Sequence, residues 1–219
     1  MQSPPSPFPL LEGVPEGERS RLLNASRRLR FARGQVVFHA GEEADSVHLV
    51  DSGRFSIRIE APDGHAALLS VVGRGGFFGE LALLGPERRS ATVVALEQST
   101  TLALGRWAFA EVRDRYPSID RALTATLGAR IRELSEQLVD ALYTPVDARL
   151  CSRLLDASAK WRSTRLPFTQ QDVADLTGTT RPTANRVLRQ LAEEGLIELT
   201  RGSVVLVDPD GLRRRAVRS

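Results

Sequence analysis

The sequence predicts an α+β protein in which a small antiparallel β-roll is followed by one long helix and a helix-turn-helix with a β-hairpin wing. Three patterns indicate this: short strand-like runs between glycine-rich turns, one long amphipathic stretch, and two short helices joined by a glycine-containing turn. The chain has 219 residues, 42% hydrophobic and 26% charged, enough for two modest cores. We expect residues 1–116 to hold the roll, 117–143 the long helix and 144–219 the helix-turn-helix.

The N-terminal part is predicted to begin with a flexible leader and a short helix. The leader, residues 1–10, lacks the basic start and apolar core of a signal peptide, and helical spacing follows over 16–26. Strands are then predicted at 28–33, 36–39, 46–51, 54–60, 66–72, 90–96 and 100–105. A closed roll of this kind can hold one small ligand inside.

One stretch within the roll, FFGELALLGPERRSAT at residues 77–92, carries the chemistry of a binding site. Gly79 lets the backbone approach a ligand, Arg89 offers a fork of donors suited to phosphate, and Glu80 can accept from sugar hydroxyls. Residues 80–84 can form a helical turn whose first amides face an anion. One anion and one sugar in a small pocket indicate a nucleotide with a single phosphate.

Two helices are predicted after the roll, at 106–115 and 118–143, with a break at Pro117 between them. In the longer helix the apolar residues recur at spacings of four, four, three, four and four: Leu123, Leu127, Ile131, Leu134, Leu138 and Leu142. That spacing fits a seam between two helices or a helix packed only within its own subunit, and we favour a dimer seam.

The C-terminal third restarts at Thr144, a predicted helix cap followed by proline, and a second cap signal stands at Thr169. Its predicted elements are helix 145–160, a helix from 169 to 176, turn 177–180, helix 181–194 and strands 196–199 and 204–207. The last two strands form the wing, and the two helices around the turn form a helix-turn-helix.

The helix over 181–194 has the composition of a base-reading element. Arginine can read guanine through two hydrogen bonds, asparagine can read adenine, and threonines can donate to phosphates. The predicted DNA-binding residues are Thr179, Thr180, Arg181, Thr183, Asn185, Arg186 and Arg189. The charge balance agrees, because residues 145–219 hold 13 Lys and Arg against 9 Asp and Glu, whereas residues 1–144 hold 17 against 18.

This order of parts resembles the cyclic-AMP receptor protein family, often called CRP/FNR, over about residues 20–208. The family's phosphate cassette reads Gly-Glu-Leu-Ala/Gly-Leu, a short loop and Arg-Ser/Thr-Ala, and this chain has GELAL at 79–83 and RSA at 89–91. The resemblance implies a homodimeric transcription regulator that binds double-stranded DNA at a pseudo-palindromic site and is gated by cyclic AMP or cyclic GMP. The implied nucleotide-binding residues are Gly79, Glu80, Leu81, Ala82, Arg89, Ser90 and Ser135.

The resemblance also implies individual roles. Arg89 and Ser90 hold the cyclic phosphate together with amides near Ala82, Glu80 accepts from the ribose 2′-hydroxyl, and Ser135 contacts adenine in the dimer. Arg181 and Arg186 match the two base-reading arginines of the recognition helix.

Three positions depart from the family pattern. Leu134 stands where the first residue of an adenine-reading Thr-Ser pair is expected, so the choice between adenine and guanine stays open. Pro182 replaces a common base-reading Glu, so the half-site should differ from that of Glu-bearing members, and Gly76 replaces an acidic residue before the cassette.

Because of Leu134, a second hypothesis stays open: a DNA-binding regulator that is constitutive or responds to another small effector. An enzyme acting on nucleotides is the remaining alternative. It is disfavoured because the chain has no P-loop, nucleophile elbow or carboxylate pair with metal-ligand spacing.

The cysteine count and the hydropathy limit which cofactors and which cellular compartment we expect. Cys151 is the only cysteine, which excludes an internal disulfide and a thiolate-ligated iron–sulfur cluster, and no metal or haem is expected. No run approaches the roughly 18 apolar residues of a membrane span, so we expect a cytoplasmic protein without a membrane partner. Contact with RNA polymerase is left open.

Overall fold

A 3₁₀ turn, three helices and eight short strands precede the long helix at 118–143 in a computed structural model that describes residues 7–60, 66–84 and 88–217. The connection at 61–65, between the strands predicted at 54–60 and 66–72, and the tip of the cassette loop at 85–87 lie outside the described residues. The chain divides into two units, Met1–Ile59 with Ser70–Arg132 and Glu60–Leu69 with Glu133–Ser219.

The strands of the roll form two four-stranded sheets, in the orders β1-β8-β3-β6 and β2-β7-β4-β5, and every described register between them is antiparallel. The strands are β1 (Arg27–Phe31), β2 (Val36–Phe38), β3 (Ser46–Ser52), β4 (Arg54–Glu60), β5 (Ala66–Gly73), β6 (Phe77–Phe78), β7 (Thr92–Ala95) and β8 (Ser99–Gly105). The helices of this part are α1 (Glu16–Ala25), α2 (Leu81–Leu84), α3 (Arg106–Arg115) and α4 (Ser118–Tyr143).

Strand β3 serves two apolar cores, because successive side chains of a strand point to opposite faces. Val47 and Leu49 pack in a cluster with helical residues that include Phe109 and Ile119. Val50 faces the other way, into a cluster between the two sheets. That second cluster consists of Phe31, Phe38, Val50, Phe55, Val72, Phe78, Val93 and Ala95.

Residues 8–11 correct the prediction of a flexible leader for its described part, whereas residues 1–6 lie outside the described residues. Phe8 is 3% exposed, and Leu10 and Leu11 are fully buried in the cluster that contains Val14. Residues Pro9–Leu11 form a short 3₁₀ turn. Each large apolar side chain gains roughly 1.5–3 kcal/mol on burial, and this gain favours an ordered segment.

Helices α3 and α4 have the predicted bounds. The apolar stripe of α4 is buried only near its start, where Leu123 is 2% exposed. Farther along, Ile131, Leu138 and Leu142 are 61–66% exposed in the single chain. None of the helices in the described ranges combines the length and apolar character that a membrane span requires.

The second unit contains a helix-turn-helix and a three-stranded sheet of order β10-β11-β9. Its elements are α5 (Val146–Trp161), β9 (Arg165–Leu166), α6 (Gln170–Thr177), α7 (Arg181–Glu193), β10 (Ile197–Thr200), β11 (Ser203–Leu206) and α8 (Pro209–Val217). The capping box predicted at Thr169 is confirmed, with Asp172 as its reciprocal partner. Thr144 is not the side-chain cap that we predicted, because Pro145 occupies the cap position of α5.

The basic residues near the C-terminus lie in helix α8, which the sequence did not predict. Leu212 is fully buried where α8 packs on α5. Arg213 and Arg214 are exposed and pair with Asp210 and Asp208 on the same segment. The segment is therefore a folded part of the unit rather than a loose basic end.

His48 is a buried part of the roll. It is 4% exposed, its ring stacks on Phe78 with centroids 5.1 Å apart, and Nδ1 lies 3.1 Å from Thr101 Oγ1. Burial lowers the pKa of His48 to about 4, and the nearby positive charge of Arg89 acts in the same direction.

We expect this histidine to make the protein less stable as the pH falls from about 6.5 to 4. The unfolded chain then takes up a proton that folded His48 refuses, so the free energy of unfolding drops by about 3 kcal/mol from this group alone. Urea unfolding between pH 7 and 4 measures the drop. The His48→Gln variant should show a shallower pH dependence, and identical slopes for both proteins would contradict the assignment.

Candidate functional site

The backbone around Arg89 is fixed by a short ladder with the loop that precedes β3. The Arg89 amide donates to the Glu42 carbonyl at 2.8 Å, and the Arg89 carbonyl accepts from the Gly41 amide at 2.8 Å. Glu43 and Arg88 form the adjoining antiparallel bridge. These hydrogen bonds fix the main chain of Arg89 just before β7, and its side chain extends from there into the first unit.

The guanidinium of Arg89 is almost completely enclosed, with 3% of the side chain exposed. Nη1 donates to the carbonyls of Ser46 at 2.8 Å and Gly79 at 3.0 Å, and Nη2 lies 3.6 Å from an Asp45 carboxylate oxygen. The charge also sits 4.0 Å above the ring centre of Phe38. Burial lowers the pKa of Arg89, while Asp45 opposes that shift.

The Nε of Arg89 is buried and has no hydrogen-bond partner among the described residues. An unpaired buried donor costs about 1–3 kcal/mol, so a cation in this state is suited to an incoming acceptor. A phosphate oxygen is the acceptor that a guanidinium fork binds best.

Gly79 is required by its conformation and by its neighbour. Its φ of +86° lies in the left-handed region, and an added Cβ would come within 2.5 Å of Arg89 Nη1. The sequence predicted a close approach to a ligand at this glycine. In the structure the group that approaches it is the guanidinium of Arg89.

Glu80 is 1% exposed and forms an ion pair that the sequence did not reveal. Arg130, on α4, places Nη1 2.5 Å from Glu80 Oε1 and Nη2 2.8 Å from the Phe77 carbonyl oxygen. A buried carboxylate is stable only when it is paired, so burial of Glu80 would by itself predict a cation nearby. The 50-residue separation hides which basic residue supplies it.

A cavity of about 40 Å³ joins these groups. Six of the predicted nucleotide-binding residues line it: Gly79, Glu80, Leu81, Ala82, Arg89 and Ser90. Apolar side chains, among them Phe38, Ile57 and Phe78, form the rest of its wall together with Arg130. Ligand pockets usually measure roughly 300–1,000 Å³, so a mononucleotide would have to displace lining side chains.

Ser135, the seventh predicted residue, is exposed on α4 and belongs to the second unit, whereas the cavity is lined by residues of the first. Leu134 beside it is 38% exposed.

In the second unit, α6 and α7 are joined by a turn at Gly178, whose φ is +58°. Thr180 caps α7 and accepts from the Thr183 amide at 3.4 Å, and Pro182 stands in the first turn as predicted. Ala184, Val187, Leu188 and Leu191 are buried. The opposite face is thereby directed to solvent.

The predicted reading residues differ in their exposure. Arg181, Arg186 and Arg189 are exposed, whereas Asn185 is half-buried and its Oδ1 is enclosed with no hydrogen-bond partner among the described residues. Arg186 Nη2 lies 3.4 Å from Asp147 on α5. The arginines therefore form the accessible part of the face, and Asn185 lies at its inner edge.

A groove of about 370 Å³ separates the wing from the start of the helix-turn-helix. Arg181 lines one side, Arg201 and Gly202 of the wing turn line another, and Gln170 and Gln171 complete it. Two basic residues from different elements, Arg181 of α7 and Arg201 of the wing turn, therefore line the same groove.

Comparison with known proteins gives the family. Residues 28–116 match the cyclic nucleotide-binding domain family, and residues 148–215 match the Crp-like helix-turn-helix domain family. The chain is 31% identical over 216 residues to a CRP-like cAMP-activated global transcriptional regulator of Mycobacterium tuberculosis, which covers 94% of this chain and 96% of the relative. It is also 31% identical over 196 residues to a cyclic AMP receptor protein of Thermus thermophilus, covering 90% and 91% of the two chains.

A solved structure agrees with these matches. The c-di-GMP responsive global regulator CLP of Xanthomonas campestris is similar with a TM-score of 0.76 at 26% identity, covering 88% of this chain and 99% of that one. The cyclic nucleotide-binding match precedes the helix-turn-helix match in this chain, and the two relatives match over nearly their whole length. The chain therefore belongs to the CRP-like family of transcription regulators, in which a cyclic nucleotide-binding domain precedes a Crp-like helix-turn-helix.

Proposed function

We propose that this protein is a homodimeric, sequence-specific DNA-binding regulator, active in the cytoplasm, whose affinity for DNA is set by cyclic AMP bound in the roll. The predicted segments 1–116, 117–143 and 144–219 would then serve as sensor, dimerisation helix and DNA reader. Two relatives at 31% identity whose names refer to cyclic AMP support this choice of nucleotide.

The observation that carries the ligand class is the enclosed guanidinium of Arg89, whose Nε is unpaired beside a cavity that also holds Glu80. In the proposal Arg89 and Ser90 bind the cyclic phosphate, with backbone groups near Ala82. Glu80 accepts from the ribose, and Arg130 pairs with that carboxylate and orients it. Ser135 would contact the base.

For DNA, we propose that Arg181, Arg186 and Arg189 enter the major groove while Thr179, Thr180 and Thr183 contact phosphates. Exposed arginines on a helix whose other face is buried support this arrangement. A dimer would place two such helices one helical turn of DNA apart, about 34 Å, on a pseudo-palindrome.

The second candidate keeps DNA binding but changes the effector. Leu134 replaces a donor that could read adenine, and a similar solved regulator is described as c-di-GMP responsive. A regulator that responds to another small effector, or to none, is therefore the alternative to cyclic AMP.

The deciding experiment measures DNA affinity with cyclic AMP, cyclic GMP, c-di-GMP and no nucleotide. A duplex is first selected from random sequence both with and without nucleotide, so that the probe favours neither state. We expect cyclic AMP to strengthen DNA binding by roughly 5- to 150-fold, the usual range of coupling between two sites. Such a shift requires that the nucleotide bind the two conformations with different affinity.

Equal DNA affinity under all four conditions would overturn the nucleotide gate and leave a regulator that is constitutive or responds to another small effector. A response to c-di-GMP alone would transfer the proposal to the second candidate.

A further inference from the structure

Arg149, on the first turn of α5, is a buried cation that binds backbone carbonyls of two other helices. Its side chain is enclosed, with 6% of the residue exposed. Nε donates to the Thr177 carbonyl oxygen at 2.8 Å, at the end of α6. Nη1 is shared among three carbonyl oxygens at the end of α4, those of Thr144 at 2.8 Å, Asp140 at 3.1 Å and Ala141 at 3.3 Å.

These carbonyls lie at helix ends, where acceptors outnumber amide donors, although the Asp140 carbonyl also accepts from the Thr144 amide at 2.9 Å. The last four carbonyls of a helix have no amide partner within it, and the helix dipole places partial negative charge there. At the end of α4 the shortage is greater, because Pro145 lacks the amide that would reach Ala141 four residues earlier. A guanidinium suits this place, since its planar fork can donate in two directions at once.

Arg153 lies one turn later on α5 and is a useful comparison. Its Nη2 lies 2.8 Å from the Asp140 carboxylate, so it contacts α4 through a side chain. Lys160, near the other end of α5, pairs with Glu133 at 3.4 Å. Among these three cations on α5, Arg149 is the one that joins the end of α4 to the helix-turn-helix.

We propose that Arg149 is a positioning residue that fastens the C-terminal end of α6 to the C-terminal end of α4 and thereby sets the orientation of the DNA-reading helices on the long helix. Its effect on the nucleotide response rests on the proposed function. Its effect on the contact between the ends of α4 and α6 does not. Without Arg149, the ends of α4 and α6 lose the donor that they share. The helix-turn-helix, α6 and α7, is then free to change its angle to the end of α4.

The test compares Arg149→Met and Arg149→Lys with the matched control Arg153→Met, all in the full chain. Lysine keeps the charge, but a single ammonium cannot serve both helix ends with the geometry of the fork. Hydrogen exchange is measured at the amides of Gly178 and Thr179 and over residues 144–148. Nucleotide affinity, and DNA affinity with and without cyclic AMP, are measured on the same samples.

We expect both Arg149 variants to exchange faster at these amides and to bind cyclic AMP as the wild type does. The ratio of DNA affinities with and without cyclic AMP should fall by at least about fivefold. Arg153→Met should keep the wild-type ratio and exchange. A role in stability alone would lower the melting temperature of the variants and leave this ratio unchanged, which would overturn the proposal.

Unchanged exchange at Gly178 and Thr179 in both variants would also overturn it. If the wild type shows no response to any nucleotide, the proposed function fails, and the exchange measurement still decides the role of Arg149. If Arg149→Met does not fold, Arg149→Lys carries the same measurements.

Discussion

Replacement of Arg89 by methionine is expected to weaken cyclic AMP binding by at least about 100-fold, because charge-assisted hydrogen bonds to phosphate are roughly twice as strong as neutral ones. Methionine keeps much of the side-chain volume but removes the charge and every donor. It also leaves the carbonyls of Ser46 and Gly79 without the partner they have in the native protein. Calorimetry with cyclic AMP measures the loss.

The matched control is Arg88→Met. Arg88 is the preceding residue, and its exposed side chain donates to the Gly41 carbonyl rather than entering the cavity. It should bind the nucleotide as the wild type does. Circular dichroism verifies that Arg89→Met is folded, and Arg89→Lys separates charge from fork geometry. A folded Arg89→Met protein with wild-type nucleotide affinity would refute phosphate binding by Arg89.

Replacement of Leu138 by aspartate is expected to produce a monomer whose DNA affinity is lower by roughly 100-fold or more, since linking two binding modules gains about 10²–10⁴ in avidity. Leu138 is 61% exposed and lies between Leu134 and Leu142 on the apolar stripe of α4. A charge there would be buried in the proposed seam without a partner, which is costly. Analytical ultracentrifugation gives the oligomeric state, and titration of a two-half-site duplex gives the affinity.

Tyr143→Asp controls for added charge at the same end of α4. Tyr143 is 80% exposed, and one residue beyond Leu142 it is turned about 100° away from the stripe. This variant should remain dimeric. A monomeric wild type, or a dimeric Leu138→Asp protein with native DNA affinity, would rule out the seam.

Local signals predicted much of the fold. Gly105 and Pro117 bound α3 and α4, and the Thr169 capping box starts α6, because these residues act on their immediate neighbours. Strands β6 and β9 were missed since two residues are too short for a period to be visible. The wing turn is tighter than predicted. Thr200 pairs with Ser203 and leaves only Arg201 and Gly202 between the strands.

The candidate site was predicted where its residues are contiguous and missed where they are distant. The cassette supplied six lining residues of the cavity because they lie within one stretch of chain. Arg130 and Arg149 escaped prediction, since each acts on groups that a different element brings near. Their partners, Glu80 and Thr177, are 50 and 28 residues away. Such pairings depend on tertiary packing, which periodicity and local propensity do not encode.

The burial of the N-terminal segment has a consequence for how the protein is made. Phe8, Leu10 and Leu11 are synthesised more than 100 residues before Ile119 and Leu123, yet they share a core with them. Contacts between segments so far apart in sequence form slowly. The core of the roll is therefore complete only after the start of α4 has been synthesised. Until then its N-terminal apolar side chains stay exposed, which is the state that chaperones bind.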